Sequence, residues 1–322
     1  MRVVGLGGGI GASRLWTIMI DPARHLDLTV AVNTGEDLWL HGLRVCPDLD
    51  TVLYALSGRQ DTSRGWGVKE ETWQCMTTLS EIAGNQWFNL GDRDLAVHLF
   101  RTGQLRAGHR LSDITSEIAR AFQVGCKILP ATEAEVTSRV VTCDGRDLHY
   151  QEFLVREHAD VDVLRSYVAG MDDAQPVEGL LDDISAADLV VIAPSNPIAS
   201  LQPILQLQGM RAALQSARQR TVVVSPTVET VPIDDEGEAG RARSRARLLK
   251  AAGYEPTPVG VALFYADVAG VFVLDRADAA FANEIEAVGL RVVLADTLVH
   301  RGADPGLLVD AVLSGVENAE LR

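Results

Sequence analysis

The chain has 322 residues, 47% of them hydrophobic and 23% charged, enough for about two domain-equivalents with a full core and outside the range of a disordered or peptide-sized scaffold. Twenty-nine basic residues stand against 44 acidic ones, and the net charge of −15 argues against a general nucleic-acid binder, because such a surface repels a phosphate backbone. Cys46, Cys75, Cys126 and Cys143 are scattered without a CxxC pair, no apolar run reaches the ~18 residues of a membrane span, and the apolar start is too short for a signal peptide, so a cytoplasmic protein without zinc or disulfides is expected.

Arg2 to Leu6 is a short β-branched run cut off by Gly7, Gly8, Gly9 and Gly11, with apolar periodicity from Leu15 to Ile20. That is strand, glycine turn, helix. Small residues let the backbone approach phosphate, and a helix starting near Ala12 offers free N–H groups and the positive end of its dipole. An anionic ligand is expected there, with Arg14 one turn in to fork it; a tight turn without a ligand is the competing reading. The spacing is not a dinucleotide fingerprint, since Ile10 and Arg14 stand where the third glycine belongs, and no Walker lysine–hydroxyl pair follows.

The next strand, Leu28 to Val32, ends at Asn33-Thr34-Gly35 rather than at an acid, which disfavours an NAD-dependent oxidoreductase. Glu36 and Asp37, then Asp48 and Asp50, bring several carboxylates towards one sheet edge. Hard oxygen ligands beside a phosphate are what Mg2+ requires. The competing role for Asp48 or Asp50 is to cap a helix starting at Thr51. Trp66, Trp73 and the run Trp87-Phe88-Asn89-Leu90-Gly91-Asp92-Arg93-Asp94 join aromatic surface suited to a planar ring with a charged turn that could equally cap a helix. At least one of these tryptophans is expected in the core. His41 and His98 lie near the motifs and are read as core or surface histidines.

From Ser112 to Gly170 the texture changes: a helix over Ile114 to Phe122 precedes alternating stretches, Val136 to Thr142 and Asp147 to Val155, expected as antiparallel strands. This reads as an inserted α+β subdomain over 112–170, between core segments 1–111 and 171–322. Strands follow at Leu189 to Ala193, ending in Pro194-Ser195-Asn196-Pro197, and at Thr221 to Val224, ending in Ser225-Pro226. Val271 to Leu274 and Arg291 to Leu294 read as strands, Ala279 to Val288 and Pro305 to Leu313 as helices, and Asp234 to Arg247 as a charged loop turning helical by Arg243. The expected fold is α/β, Rossmann-like, a mainly parallel sheet with helices on both faces and ligand groups at its carboxyl edge.

In one order the chain carries GGGIGASRL, NTGEDLWLHGL, CPDLDTVLYALSG, RGWGVKEETW, WFNLGDRDLAVHLFRT, KILPAT, FLVRE, APSNPIAS and ADTLV. This set resembles the transferases that build coenzyme F420, the 2-phospho-L-lactate transferase and phosphoenolpyruvate transferase family, from Met1 to the stretch near Leu298. PDLDT with WFNLGDRD and APSNP is the specific combination, and HGLRVCPDLDT looks closest to the actinobacterial members. The resemblance implies transfer of a phosphoenolpyruvyl or 2-phospholactyl group from a guanosine diphosphate-type donor to the terminal ribityl hydroxyl of the deazaflavin FO. It implies release of GMP, Mg2+ as cofactor, small-molecule substrates and a homodimer.

Position by position, the resemblance implies that Asp50 and Asn89 bind the deazaflavin and that Asp37, Asp48 and Asp50 hold Mg2+ and carry the chemistry. Gly8, Gly9, Gly11 and Arg14 would receive the donor, Ser195 and Asn196 would form a second nucleotide-facing turn, and Asp92 and Arg93 would order the deazaflavin side. The hydroxyl proton is left either to Asp50 or to metal-assisted ionisation. A non-catalytic nucleotide-sugar-binding regulator of the gluconeogenesis-factor type shares the glycine loop but lacks the PDLDT and WFNLGDRD pair. After Ser225-Pro226 the chain departs from the family: TVETVPIDDEGEAGRARSRARLL replaces a glycine pair and a GPA or GMA segment. Either Gly237 and Gly240 restore the contact in a longer loop, with Arg241 and Arg243 supplying charge, or donor preference differs.

Overall fold

The computed structural model describes residues 1–62 and 64–317. Twelve strands appear in chain order: β1 (Arg2–Gly7), β2 (Asp27–Val32), β3 (Leu38–Leu40), β4 (Leu43–Val45), β5 (Lys127–Pro130), β6 (Thr137–Thr142), β7 (Asp147–His149), β8 (Val163–Ala169), β9 (Leu189–Ile192), β10 (Thr221–Val224), β11 (Val271–Asp275) and β12 (Arg291–Ala295). Seven of them form a parallel sheet in the order β12-β11-β10-β9-β1-β2-β5. The chain runs outward from β1 to β2 and β5, then returns to the other side of β1 with β9. The gap between β1 and β9 is the switch point of the doubly wound plan, where the loops leaving the two strands diverge and open a crevice.

Alternation along each strand feeds two cores. Val4, Leu6, Val190, Ile192 and Phe272 pack on one face, against the helices Met210–Ser216 and Pro258–Tyr265. Val3, Val30, Val191, Val222 and Val273 pack on the other, with α1 (Gly9–Met19), α2 (Pro47–Leu56) and the helix Pro305–Glu317. A sheet covered on both faces needs near-continuous apolar strands, which is why LVVI is wholly apolar and TVVV has as its polar member only the terminal Thr221, whose hydroxyl donates to the Ala217 carbonyl at 3.0 Å.

Three further helices precede β5 or flank it: α3 (Gln74–Ala83), α4 (Asp92–Arg106) and α5 (Leu111–Ala121). The antiparallel sheet β7-β6-β8 lies at the side of the main one. Strand β5, inside the expected insertion, is the outermost strand of the main sheet instead, paired with β2. Its KILP run is too short for periodicity to place. The expected strand Asp147 to Val155 ends at His149 and becomes a π-helical turn, Glu152–Arg156, because the His149 N–H is capped by the Glu152 carboxylate at 3.0 Å. The hairpin β3-β4 and strand β8 carried no signal in the sequence. The charged segment is helical from Glu236 to Ala251, seven residues earlier than Arg243, because Asp235 accepts a bond from the Glu238 N–H at 2.7 Å and caps it.

Trp16 of α1 lies fully buried across β1, and a Cβ on Gly5 would sit 2.6 Å from its ring. Gly5→Ala is expected to lower the chemical denaturation midpoint by an amount equivalent to about 1–3 kcal/mol of overpacking, with Trp16→Phe in the same chain recovering part of it.

Candidate active site

The loops leaving β1, β9 and β10 meet over a cleft of about 790 Å3. The glycine turn supplies one wall. A Cβ on Gly8 would fall 2.1 Å from the Asp48 carboxylate, and one on Gly11 would fall 2.1 Å from the Pro194 carbonyl oxygen. Gly9 takes φ +70, which a side chain disfavours. No side chain caps α1 and no acid occupies its own first turn, so its N-terminal N–H groups stay open to the cleft, with the Asp48 carboxylate beside them. Ser195 ties the turn to the end of β9: its Oγ accepts from the Gly8 N–H at 3.2 Å and donates to the Gly8 carbonyl at 2.9 Å. Asn196 caps the following turn by accepting from Ile198 and Ala199. Both residues border the cleft, but their bonds build its wall.

Helix α2 starts at Pro47, with Cys46 as its cap residue, so neither Asp48 nor Asp50 caps a helix at Thr51. Both carboxylates lie in its first turn, where the dipole favours them. Asp48 accepts from Asn33 Nδ2 at 2.9 Å. Burial first, opposed by that bond and reinforced by the charge of Asp37, pushes its carboxyl up to about 7. Asp37 is pushed by burial to about 6 against the pull of Arg44, which it meets at 3.4 Å. Glu36, held by Gln151 at 2.7 Å and Ser200 at 2.8 Å, is raised well above the carboxylate range by burial and by Asp48. Asp37 does not border the cleft, and its Oδ1 is buried without a partner.

Asp50 has a different environment. The Arg101 guanidinium of α4 clamps both its oxygens, and His98 Nδ1 stands 3.6 Å away. His98 Nε2 lies 3.2 Å from Asp94, which also accepts the Tyr54 hydroxyl at 2.5 Å. Burial raises the Asp94 carboxyl, but His98, Tyr54 and the Arg101 charge outweigh it and hold the group below its ordinary value. Among the described residues, Asp50, Asp94 and His98 are the group of three whose ligand atoms all lie within 4.8 Å of one another. Asp37, Asp48 and Asp50 do not form such a group: Asp37 is paired with Arg44, Asp50 with Arg101, and Asp48 with Asn33. His98, read from the sequence as core or surface, borders the cleft with Asp94. Its spacing from Asp94 and Arg101 along one helix was the available signal.

Asn89 borders the cleft beside Trp87 and Phe88, whose ring centroids are 5.4 Å apart. Trp66 joins them from the preceding loop and is 43% exposed. None of Trp66, Trp73 and Trp87 is buried; the core tryptophan is Trp16. Asp92 and Arg93 do not border the cleft. Asp92 accepts from the Thr72 hydroxyl and from the Gln74 and Cys75 N–H groups at the start of α3, while Arg93 bonds the Lys69 carbonyl at 3.0 Å. They order the loop that carries Trp66. Arg14 borders the cleft but is paired with Glu238 at 3.1 Å, and Glu238 also meets His300 at 2.7 Å and Arg301 at 3.3 Å.

The family model described as 2-phospho-L-lactate transferase CofD matches residues 3–296. The chain belongs to this family. It is a transferase of the CofD type, and it is 38% identical to the phosphoenolpyruvate transferase of Nocardia farcinica over 85% of this chain and 82% of that one. It is 37% identical to the 2-phospho-L-lactate transferase of Methanosarcina acetivorans, covering 91% of this chain and 92% of that one. A crystal structure of a UPF0052 family member from Bacillus halodurans shares the fold, with a TM-score of 0.63 at 18% identity over 97% of this chain and 99% of that one. Among the described residues no helix is long and apolar enough to cross a membrane.

Removing Arg101 leaves the buried Asp50 carboxylate with only His98 at 3.6 Å beside it, so Arg101→Ala is expected to cost about 3–5 kcal/mol in urea unfolding. Because Asp37 and Asp48 bind protons more tightly folded than unfolded, their contribution is fully present below about pH 4 and is lost as the pH rises through 6 and 7. The metal-free protein is therefore expected to melt at progressively lower temperature across that window, and Asp48→Asn to flatten the slope.

Proposed function

We propose that this family member transfers a phosphoenolpyruvyl or 2-phospholactyl group from a guanosine diphosphate-type donor to the ribityl hydroxyl of FO, releasing GMP, in coenzyme F420 biosynthesis. The supporting observation is that one cleft at the switch point joins a glycine turn with an uncapped helix N-terminus to the aromatic residues Trp66, Trp87 and Phe88. The first suits a diphosphate and the second a flat tricyclic ring. In the reaction the hydroxyl oxygen forms a bond to the phosphorus bearing the three-carbon acid, the bond from that phosphorus to the oxygen of GMP breaks, and the hydroxyl proton passes to a base.

The chain's own groups divide this work. Asp50, oriented by Arg101 and His98, is the proton acceptor facing the acceptor alcohol, with Asn89 beside the ring. The glycine turn and α1 hold the diphosphate, and closure of the ring against the aromatic residues excludes water. A divalent cation in the cleft would be held by Asp48, whose carboxyl borders the cleft and is raised by burial, with Asp37, paired with Arg44, behind it. Asp50 is already neutralised by arginine and stands outside that pair. Mg2+, when bound, would offset the charge developing on the departing phosphate.

Purified protein given FO, Mg2+ and enolpyruvyl- or lactyl-diphosphoguanosine is expected to release GMP and yield a phosphorylated deazaflavin by mass spectrometry. Asp50→Asn should reduce turnover by about two orders of magnitude or more, whereas Cys75→Ala, an exposed site outside the cleft, should not change it. No product from either donor would overturn the reading.

A further inference from the structure

The helix Glu236–Ala251, which departs most from the family pattern, carries four arginines in alternation. Two are neutralised: Arg243 pairs with Glu236 at 3.1 Å, and Arg247 meets Asp160 at 3.0 Å and Asp162 at 2.6 Å. The other two, Arg241 and Arg245, are one helical turn apart on the face that borders the cleft. Among the described residues neither has a hydrogen-bonded or ion-paired acid within reach. Of the two acids whose charges act on Arg241, Glu238 is already shared by Arg14, His300 and Arg301, and Asp235 caps the helix by accepting from the Glu238 N–H.

On a chain of net charge −15, two arginines left partly buried without a counter-ion are an energetic liability. Burial lowers both guanidinium groups, Arg245 to about 10, with the neighbouring arginine charge adding to the effect and Tyr150 opposing it. Tyr150 itself is fixed by its bond to Ser244 at 3.0 Å on the same helix, so the two side chains project from a held surface.

We infer that Arg241 and Arg245 form a receptor for an oxyanion of the donor, a phosphate or carboxylate group, on the wall of the cleft across from the aromatic residues. The neighbouring forks suit two oxygen-bearing groups of one ligand, either both phosphates of a diphosphate or the phosphate and carboxylate of a phospho-acid. The identity of the ligand rests on the transferase reading; the presence of an anion receptor does not. The segment thereby replaces with guanidinium groups the backbone contacts that glycines would make.

Titration calorimetry with inorganic pyrophosphate and with 2-phospholactate as probes tests this without any turnover. Wild-type protein is expected to bind at least one of them, and Arg241→Met and Arg245→Met to weaken that binding on the order of tenfold or more. Arg247→Met, on the same helix but outside the cleft, should bind as wild type. Loss confined to pyrophosphate assigns the pair to the diphosphate, and loss confined to phospholactate assigns it to the acid end. Because Arg241→Met and Arg245→Met each remove an uncompensated charge, both are expected to melt no lower than wild type. Should Arg245→Met fail to fold, Arg245→Lys, which keeps the charge and loses the fork, is expected to bind more weakly than wild type. Wild-type affinity in the folded Arg241 and Arg245 variants, or no binding of either probe by the parent protein, would overturn the inference. Absence of GMP release with these bindings intact would overturn only the transferase reading.

Discussion

The cleft depends on a lack of space. At Gly8 a carboxylate, and at Gly11 a backbone carbonyl, occupy the volume that a side chain would take, so the first turn of α1 is pressed between α2 and the end of β9. Ser195 locks that contact with two hydrogen bonds to a single residue. The contact is possible only at the switch point, where loops from adjacent strands run in opposite directions and leave the helix N-terminus open. Packing of the two cores holds both strands in place, and a site carried on such elements varies little in geometry.

Around that turn the charges are segregated. The loop after β2 and the first turn of α2 bury Glu36, Asp37 and Asp48 near one another, while α4 offers Arg101 and His98 to Asp50 and His98 to Asp94 as well. The helix after β10 presents arginines to the same space. Acids whose carboxyls burial raises, and cations held without partners, both store free energy that a bound counter-charge can release. The empty site is therefore less stable than a sheet edge of the same size whose charges were all paired.

The polar contacts at the periphery serve order more than chemistry. Asp92 and Arg93 belong to the most recognisable stretch of the chain, yet they fasten the start of α3 and the loop that presents Trp66. A charged turn between an aromatic pair and a helix looks the same in sequence whether its side chains meet a ligand or a neighbouring backbone. Asp94, two residues on, is turned inward by the helical repeat and reaches His98 and Tyr54.

Strand runs as apolar as those of β1, β9 and β10, each ending in a glycine, proline or serine turn, are legible along the chain because a doubly covered parallel strand tolerates no polar residue. The glycine turn, the nearby aspartates and the aromatic run could be read for the same reason: local spacing limits what they can form. Which carboxylate faces the cleft was not local. Asp37 pairs with Arg44 and Asp50 with Arg101, and Arg101 lies 51 residues from the acid it neutralises. Likewise β5 joins the main sheet through a partner nearly a hundred residues earlier, and Arg241 is left unpaired because Arg14, His300 and Arg301 converge on Glu238 from distant segments. Elements and turns follow from short-range sterics and burial patterns; the division of charge among them is decided only when the folded chain brings remote residues within a few ångströms.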